Sequence, residues 1–325
     1  MSSTRTSTPR VTTSGLSESP RSAVVAVVGP TATGKSELGL ALAERLDGEV
    51  VNADAMQLYR GMDIGTAKLP PDQRRGIVHH QLDVLEVREE ASVAAYQRHA
   101  RADIAGIGAR GRIAVLVGGS GLYVRAALDR LDIPPTDRTV RARLDAELAD
   151  VGVDVLRARL VRLDPAAADA IEPRNGRRIV RALEVVELTG RPFSASLPTR
   201  EHLVPTMMLG LAADRSLLDA RINQRVRGMW RQGLVDEVKS LVPQGLRDGR
   251  TASKALGYSQ ALAHMDGRMT PEEAQEATAT ATRRYARRQV SWFHADPRVV
   301  WLPHDAPDLV DRALAAVGRA GRMRA

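Results

Sequence analysis

Residues 29 to 36 read Gly29-Pro30-Thr31-Ala32-Thr33-Gly34-Lys35-Ser36, the spacing of a phosphate-binding loop. Successive N–H groups of such a loop and the N-terminus of the following helix make an anion nest. Lys35 is then placed to reach a terminal phosphate, and the Ser36 hydroxyl to hold Mg²⁺. The pattern implies a bound polyphosphate without selecting ATP. The usual companion, an apolar strand ending in an acid, is missing, because Ile113–Val117 runs into Gly118-Gly119-Ser120-Gly121-Leu122-Tyr123. ATP hydrolysis is correspondingly disfavoured. An acid does stand at the end of Val50-Val51-Asn52-Ala53-Asp54, expected beside the P-loop strand, where open α/β sheets place ligands. Taken alone, Asp54 reads more readily as a turn or helix cap than as a base.

These groups need rigid elements behind them. The run from Ala23 to Val28 is continuously apolar and closed by Gly29, as a central parallel strand requires. A helix follows with Leu38, Leu42 and Leu46 on one face, and Ile113–Val117 predicts a further strand after a helix over about 92–108. Strands alternating with helices imply an α/β fold, a P-loop NTPase-like parallel sheet wound on both faces. The turn-rich segment 131–136 opens a stretch that reads helical to about residue 198, before Met207–Ala212 resumes as strand. The expected organisation is a Ser/Thr-rich disordered tail over 1–22, a catalytic core over 23–128 and 205–325, and a mostly helical insertion over 129–204. Within the core, 217 to about 293 is expected to be mainly helical.

Composition narrows the chemistry. The 325 residues contain no cysteine, which excludes disulfides, thiolate zinc sites and cysteine nucleophiles. Without a run of about 18 apolar residues or a secretory signal, the cytoplasm is the expected location. A net charge of +8 points to a polyanionic partner, and nucleic acid fits better than membrane, since no basic amphipathic anchor accompanies the charge. Compositional bias is the alternative: of the 47 basic residues only Lys35, Lys68, Lys239 and Lys254 are lysine. Aromatics are scarce, so binding of RNA would rest on arginines and shape rather than a stacking platform of the RRM or OB type.

The segment Asn52-Ala-Asp54-Ala55-Met56-Gln57-Leu-Tyr59-Arg-Gly61-Met-Asp63-Ile-Gly65-Thr66-Ala-Lys68 resembles the signature of the tRNA dimethylallyltransferases. So do His79-His80-Gln-Leu-Asp83, the Gly118–Tyr123 motif, Arg181-Ala-Leu-Glu184 and Arg284-Tyr-Ala-Arg-Arg288-Gln289-Val-Ser-Trp292, in the family's order from about Ala23 to Trp301. The resemblance implies that the P-loop grips the diphosphate of dimethylallyl diphosphate while N6 of adenosine 37, beside the tRNA anticodon, attacks its first carbon. It further implies that Asp54 accepts the N6 proton, that Ser120 assists near the diphosphate, and that Lys35 and Arg221 neutralise the leaving group. Asp54, Ala55, Met56 and Gln57 would then meet the tRNA. Ser120 stands where the family commonly has threonine, keeping the hydroxyl without the rotamer-fixing methyl. The zinc finger of eukaryotic members is impossible without cysteine, which favours the bacterial type.

Two arginine sets suit an RNA partner. Arg174, Arg177, Arg178 and Arg181 recur at helical spacing within the insertion, opposite Ile179, Leu183 and Val186. A solvated face explains them equally well on spacing alone; the resemblance sets them against tRNA. Arg283, Arg284, Arg287 and Arg288 repeat beside Gln289 with no acid between Ala277 and Ala295, which suits phosphate contacts. His79 and His80 lack a third ligand at metal spacing and read as structural. Tyr258 reads as packing or a substrate contact. A monomer is expected. The rival readings are a nucleotide kinase, a transferase acting on free adenine nucleotide, which would have little use for a basic insertion, and a non-catalytic RNA-binding protein with a vestigial P-loop.

Overall fold

The computed structural model describes residues 24–196 and 200–322; the tail expected to be disordered lies outside the described residues. The chain begins with β1 (Val24–Val28), α1 (Lys35–Arg45), β2 (Gly48–Asn52), β3 (His79–His80), α2 (Val93–Ala109), β4 (Ile113–Val117) and α3 (Gly121–Leu128). It continues through α4 (Arg138–Val151), α5 (Val153–Leu163), α6 (Pro165–Ala170) and α7 (Gly176–Thr189) to β5 (Thr206–Ala212). The remainder is α8 (Arg215–Arg231), α9 (Leu234–Leu241), α10 (Tyr258–Met265), α11 (Pro271–His294), β6 (Val299–Pro303) and α12 (Leu309–Arg322).

The six strands form one parallel sheet in the order β3-β2-β4-β1-β5-β6. Burial on both faces explains the unbroken apolar run of β1. Val24, Ala26 and Val28 point to α2 and α3, where Ala100, Ile104, Val124 and Ala127 cover them. Val25 and Val27 point to α1 and α12, against Leu38, Leu42, Ala313 and Ala316. The Asp54 strand is not, as expected from sequence, beside the P-loop strand: β4 lies between β1 and β2, because the α2 crossover returns the chain into that gap. Asp54 itself lies two residues past the end of β2.

Helices α4 to α7 pack round an apolar core of their own, with Leu144, Leu156, Leu160, Ile179 and Leu183 at its centre. The two chain segments at the root of this unit pair with each other, Arg130 N–H on Glu201 O at 2.8 Å and Leu203 N–H on Leu128 O at 2.8 Å. Between them the buried Asp129 accepts from Arg298 at 2.7 Å and from Arg125 at 2.9 Å, tying the root to the sheet layer.

The basic stripe expected on α7 is altered in two respects. Arg174 precedes the helix, which starts at Gly176 behind an Asn175 cap. Arg181 turns inward: its guanidinium donates to Glu184 Oε2 at 2.6 Å, Pro134 O at 2.7 Å and Pro135 O at 2.9 Å. Glu184 is fully buried and is also held by Arg141 and the Asp137 N–H, so Arg181 closes a polar core. Arg181→Ala should strip one charged partner from a buried carboxylate at a cost of about 1–3 kcal/mol. Hydrogen exchange of α4 and α7 amides should then speed up by roughly 5- to 150-fold; unchanged protection would return Arg181 to the surface cations.

Candidate active site

The P-loop is supported from below by packing and from the side by one glutamine. Gly29 and Gly34 take positive φ, as the turn into α1 requires, and so does Ala32 at 65°. The methyl of Ala32 is buried against Leu218, Ile222 and Val226 of α8 and Ala279 and Ala286 of α11. Gln289, on α11, accepts from the Thr31 N–H at 2.9 Å and donates to Gly119 O at 2.9 Å, joining the P-loop to the glycine motif after β4. A Cβ at Gly119 would lie 2.1 Å from Gln289 Nε2, so that join requires glycine. The Thr33 hydroxyl donates to Pro30 O at 2.9 Å, and Ser36 is exposed in the first turn of α1.

Charge converges on this loop. Lys35 Nζ donates to Pro30 O at 2.5 Å. Burial pulls its ammonium down to about 7, with the Asp54 carboxylate opposing and Arg225 adding to the shift. Burial likewise raises Asp54, against the Met56 N–H and the charges of Lys35 and Arg225. Arg221 reaches Ala32 O at 3.5 Å, and Arg225, one helical turn on, donates to Thr31 Oγ1 at 3.0 Å. Arg225 is not among the residues expected from sequence, although its i, i+4 spacing from Arg221 is the signal that both share one helix face.

Asp54 sits in a shaped turn. Asn52 Oδ1 accepts its N–H at 2.9 Å, and Asp54 Oδ1 accepts the Met56 N–H at 3.0 Å. Ser120 Oγ accepts the Ala55 N–H at 3.2 Å and lies 3.5 Å from the Tyr285 hydroxyl, so Ser120 is drawn to the Asp54 turn. Tyr285, also unassigned from sequence, is pushed up to about 12, chiefly by burial. Gln57 donates to Thr66 O at 3.1 Å.

Much of the motif after Asp54 is scaffold. The Lys68 ammonium donates to Tyr59 O, Asp63 and Asp83 within 2.7 Å. Glu237 accepts the N–H groups of Asp63, Ile64 and Gly65 and the Tyr258 hydroxyl. Tyr258 is fully buried, so it packs. His80 binds Glu49 at 2.7 Å and His79 Nδ1 lies 2.9 Å from Ile77 O, a structural use of both. Among the described residues no group of three His, Asp or Glu side chains is placed to hold a metal.

A cleft of about 2280 Å³ opens between the sheet layer and the insertion. Met56, Arg177, Arg178, Arg181, Arg288 and Trp292 line it, as do Arg200, Arg250 and Lys254, which no sequence motif singles out. Arg177, Arg178, Arg284 and Arg288 are exposed. Arg283 is engaged within the protein: it bonds Asn223, Glu276 and Thr280, and Arg287 lies 3.6 Å from Asp219. The acid-free stretch of α11 is thus partly served by Glu276 two turns back and by α8.

The model of the IPP transferase family matches residues 57–296. A tRNA dimethylallyltransferase of Thermobifida fusca is 64% identical over 301 residues, 91% of this chain and 94% of that one. The chain belongs to the tRNA dimethylallyltransferase family. Membership makes it a prenyltransferase. A Streptomyces coelicolor tRNA dimethylallyltransferase is 57% identical, with 92% of this chain and 97% of that one covered. Among solved structures, a tRNA isopentenylpyrophosphate transferase of Bacillus halodurans is similar with a TM-score of 0.69 and 39% identity, over 93% of this chain and 98% of that one. A eukaryotic dimethylallyltransferase acting on tRNA has a TM-score of 0.76 at 27% identity, over 91% and 77%. The fold class expected from sequence is the one found. No described helix is long and apolar enough to cross a membrane.

Proposed function

We propose that this family member transfers the dimethylallyl group of dimethylallyl diphosphate to N6 of adenosine 37 in the anticodon loop of tRNA. The observation that carries the reading is the meeting of a P-loop lysine, two arginines and a carboxylate around one loop, with Met56 of the Asp54 turn in the wall of the arginine-rich cleft. N6 attacks the first carbon of the donor, the carbon–oxygen bond breaks, and its electron pair leaves with diphosphate. The N6 proton passes to the Asp54 carboxylate. An exocyclic adenine amine is a poor nucleophile, so a placed base and a stabilised leaving group are the two available levers. Asp54 supplies the first; the loop N–H groups, Lys35, Arg221 and Arg225 supply the second. Ser36, exposed in the first turn of α1, is the residue that would hold a Mg²⁺ beside the diphosphate. When bound, the ion adds positive charge at the diphosphate. The target base must leave the stack to reach Asp54, as bases do for enzymes that modify them.

Incubating the protein with tRNA and dimethylallyl diphosphate and analysing nucleosides by mass spectrometry tests the reaction; N6-prenylated adenosine at position 37 is expected. Label on free AMP but not on tRNA would support the free-nucleotide transferase instead, and phosphorylated product would support a kinase.

Arg177 and Arg178, exposed in the cleft wall, are the cations we assign to the RNA backbone. Replacing both by alanine should flatten the salt dependence of tRNA binding by about 0.7–0.9 log-log units for every phosphate no longer neutralised, leaving donor affinity unchanged. An unaltered slope in filter-binding titrations would make them a solvated face.

A further inference from the structure

Aromatic side chains in this chain are few, and most are buried or half-buried. Tyr59, Tyr96, Tyr123, Tyr258 and Phe293 are buried, and among the described aromatic residues Trp292 alone is exposed, at 45%. It lies in the last turn of α11, in the wall of the cleft. Its indole rests on the backbone of the glycine motif: a Cβ at Gly121 would come within 2.2 Å of Nε1 and 2.3 Å of Cδ1. Gly121 adjoins Ser120, about 3.8 Å away between Cα atoms, and Ser120 is hydrogen-bonded to the Asp54 turn. The neighbouring Leu122, also exposed at 45%, lines the same wall.

We propose that Trp292 is a stacking platform for an RNA base adjoining the adenosine that enters the site. The inference rests on the reading under Proposed function and adds how the neighbouring nucleotide is held. Gly121 fixes the indole without a side chain between them, leaving the ring ordered and part of its surface free. Exposed Arg287 and Arg288 on the same helix, with Lys254 in the same cleft, supply the positive surroundings that an RNA strand needs and an apolar protein partner does not. Stacking accepts any base, so the platform positions a neighbour while hydrogen bonds elsewhere select it. Extrusion of the target adenosine takes away one stacking partner of that neighbour, and the indole replaces it.

The test uses the full-length enzyme and an anticodon hairpin carrying 2-aminopurine on either side of the target adenosine. Binding to the wild type should quench the probe at one of the two positions, and Trp292→Ala should abolish that quenching. The variant should raise KM for the hairpin about 5- to 100-fold with kcat at saturating RNA within about threefold, and Trp292→Phe should recover most of the loss. Equal KM and equal quenching in Trp292→Ala would overturn the platform while prenylation by the wild type left the function standing. Tryptophan-dependent quenching without prenylation by the wild type would do the reverse.

Discussion

Asp54→Asn should lower the chemical step by about 10² to 10⁴ while leaving tRNA and donor binding nearly intact. Asp54 has a structural use as well, since its Oδ1 accepts the Met56 N–H at 3.0 Å. Asparagine makes the same turn contact through its amide oxygen, so the fold keeps its cap and loses only the proton acceptor. Single-turnover kinetics with pre-bound tRNA separates the two uses. A chemical step within about threefold of wild type would reduce Asp54 to a turn residue. The pH profile adds a second readout. Burial raises the Asp54 carboxyl, so the ionised base forms only as pH climbs through that elevated value, and the acid limb of kcat/KM should report it. In Asp54→Asn that limb should disappear.

Lys35→Ala should cost about 10² to 10³ in the same step, the loss typical of one preorganised donor to a developing anion. Its melting temperature should be unchanged or higher, because burial already disfavours the ammonium that is removed. The alkaline side of the profile belongs to this residue. With its ammonium held near 7 in the free protein, Lys35 is charged below that pH and progressively neutral above it. Diphosphate favours the charged form, so above pH 7 the contribution of Lys35 to affinity should fall by up to about tenfold per pH unit, with proton uptake on binding. Calorimetry of pyrophosphate binding at pH 8 in buffers of different ionisation enthalpy measures that uptake. Equal heats in all buffers, or transfer by Lys35→Ala near the wild-type rate, would remove Lys35 from the diphosphate.

The parts legible in the sequence are those written in contiguous residues. The P-loop, the β1 run and the Asn52–Lys68 segment each carry their own pattern, and their structural roles follow from local spacing. Strand order is not local: nothing within Val50–Asp54 tells that β4 separates it from β1. The two-residue β3 and the short β6 lack enough pattern to announce a strand, and β6 exists because β5 offers it an edge. Arg181 illustrates the same limit for side chains. Spacing puts it on a helix face, but its partners Pro134 and Pro135 lie more than forty residues earlier. Gln289 is visible as a motif letter, while its task depends on Thr31 and Gly119, 258 and 170 residues away.

The long helix α11 carries Gln289, which holds the P-loop, one turn or less from Arg288 and Trp292, which face the cleft. At 24 residues it extends about 36 Å as a single rigid rod. Under the proposed function, the grip on the donor and the wall that would meet the RNA are therefore coupled through one helix. Reciprocity then governs the order of assembly: whatever factor a bound diphosphate imposes on RNA affinity, bound RNA must impose on diphosphate affinity.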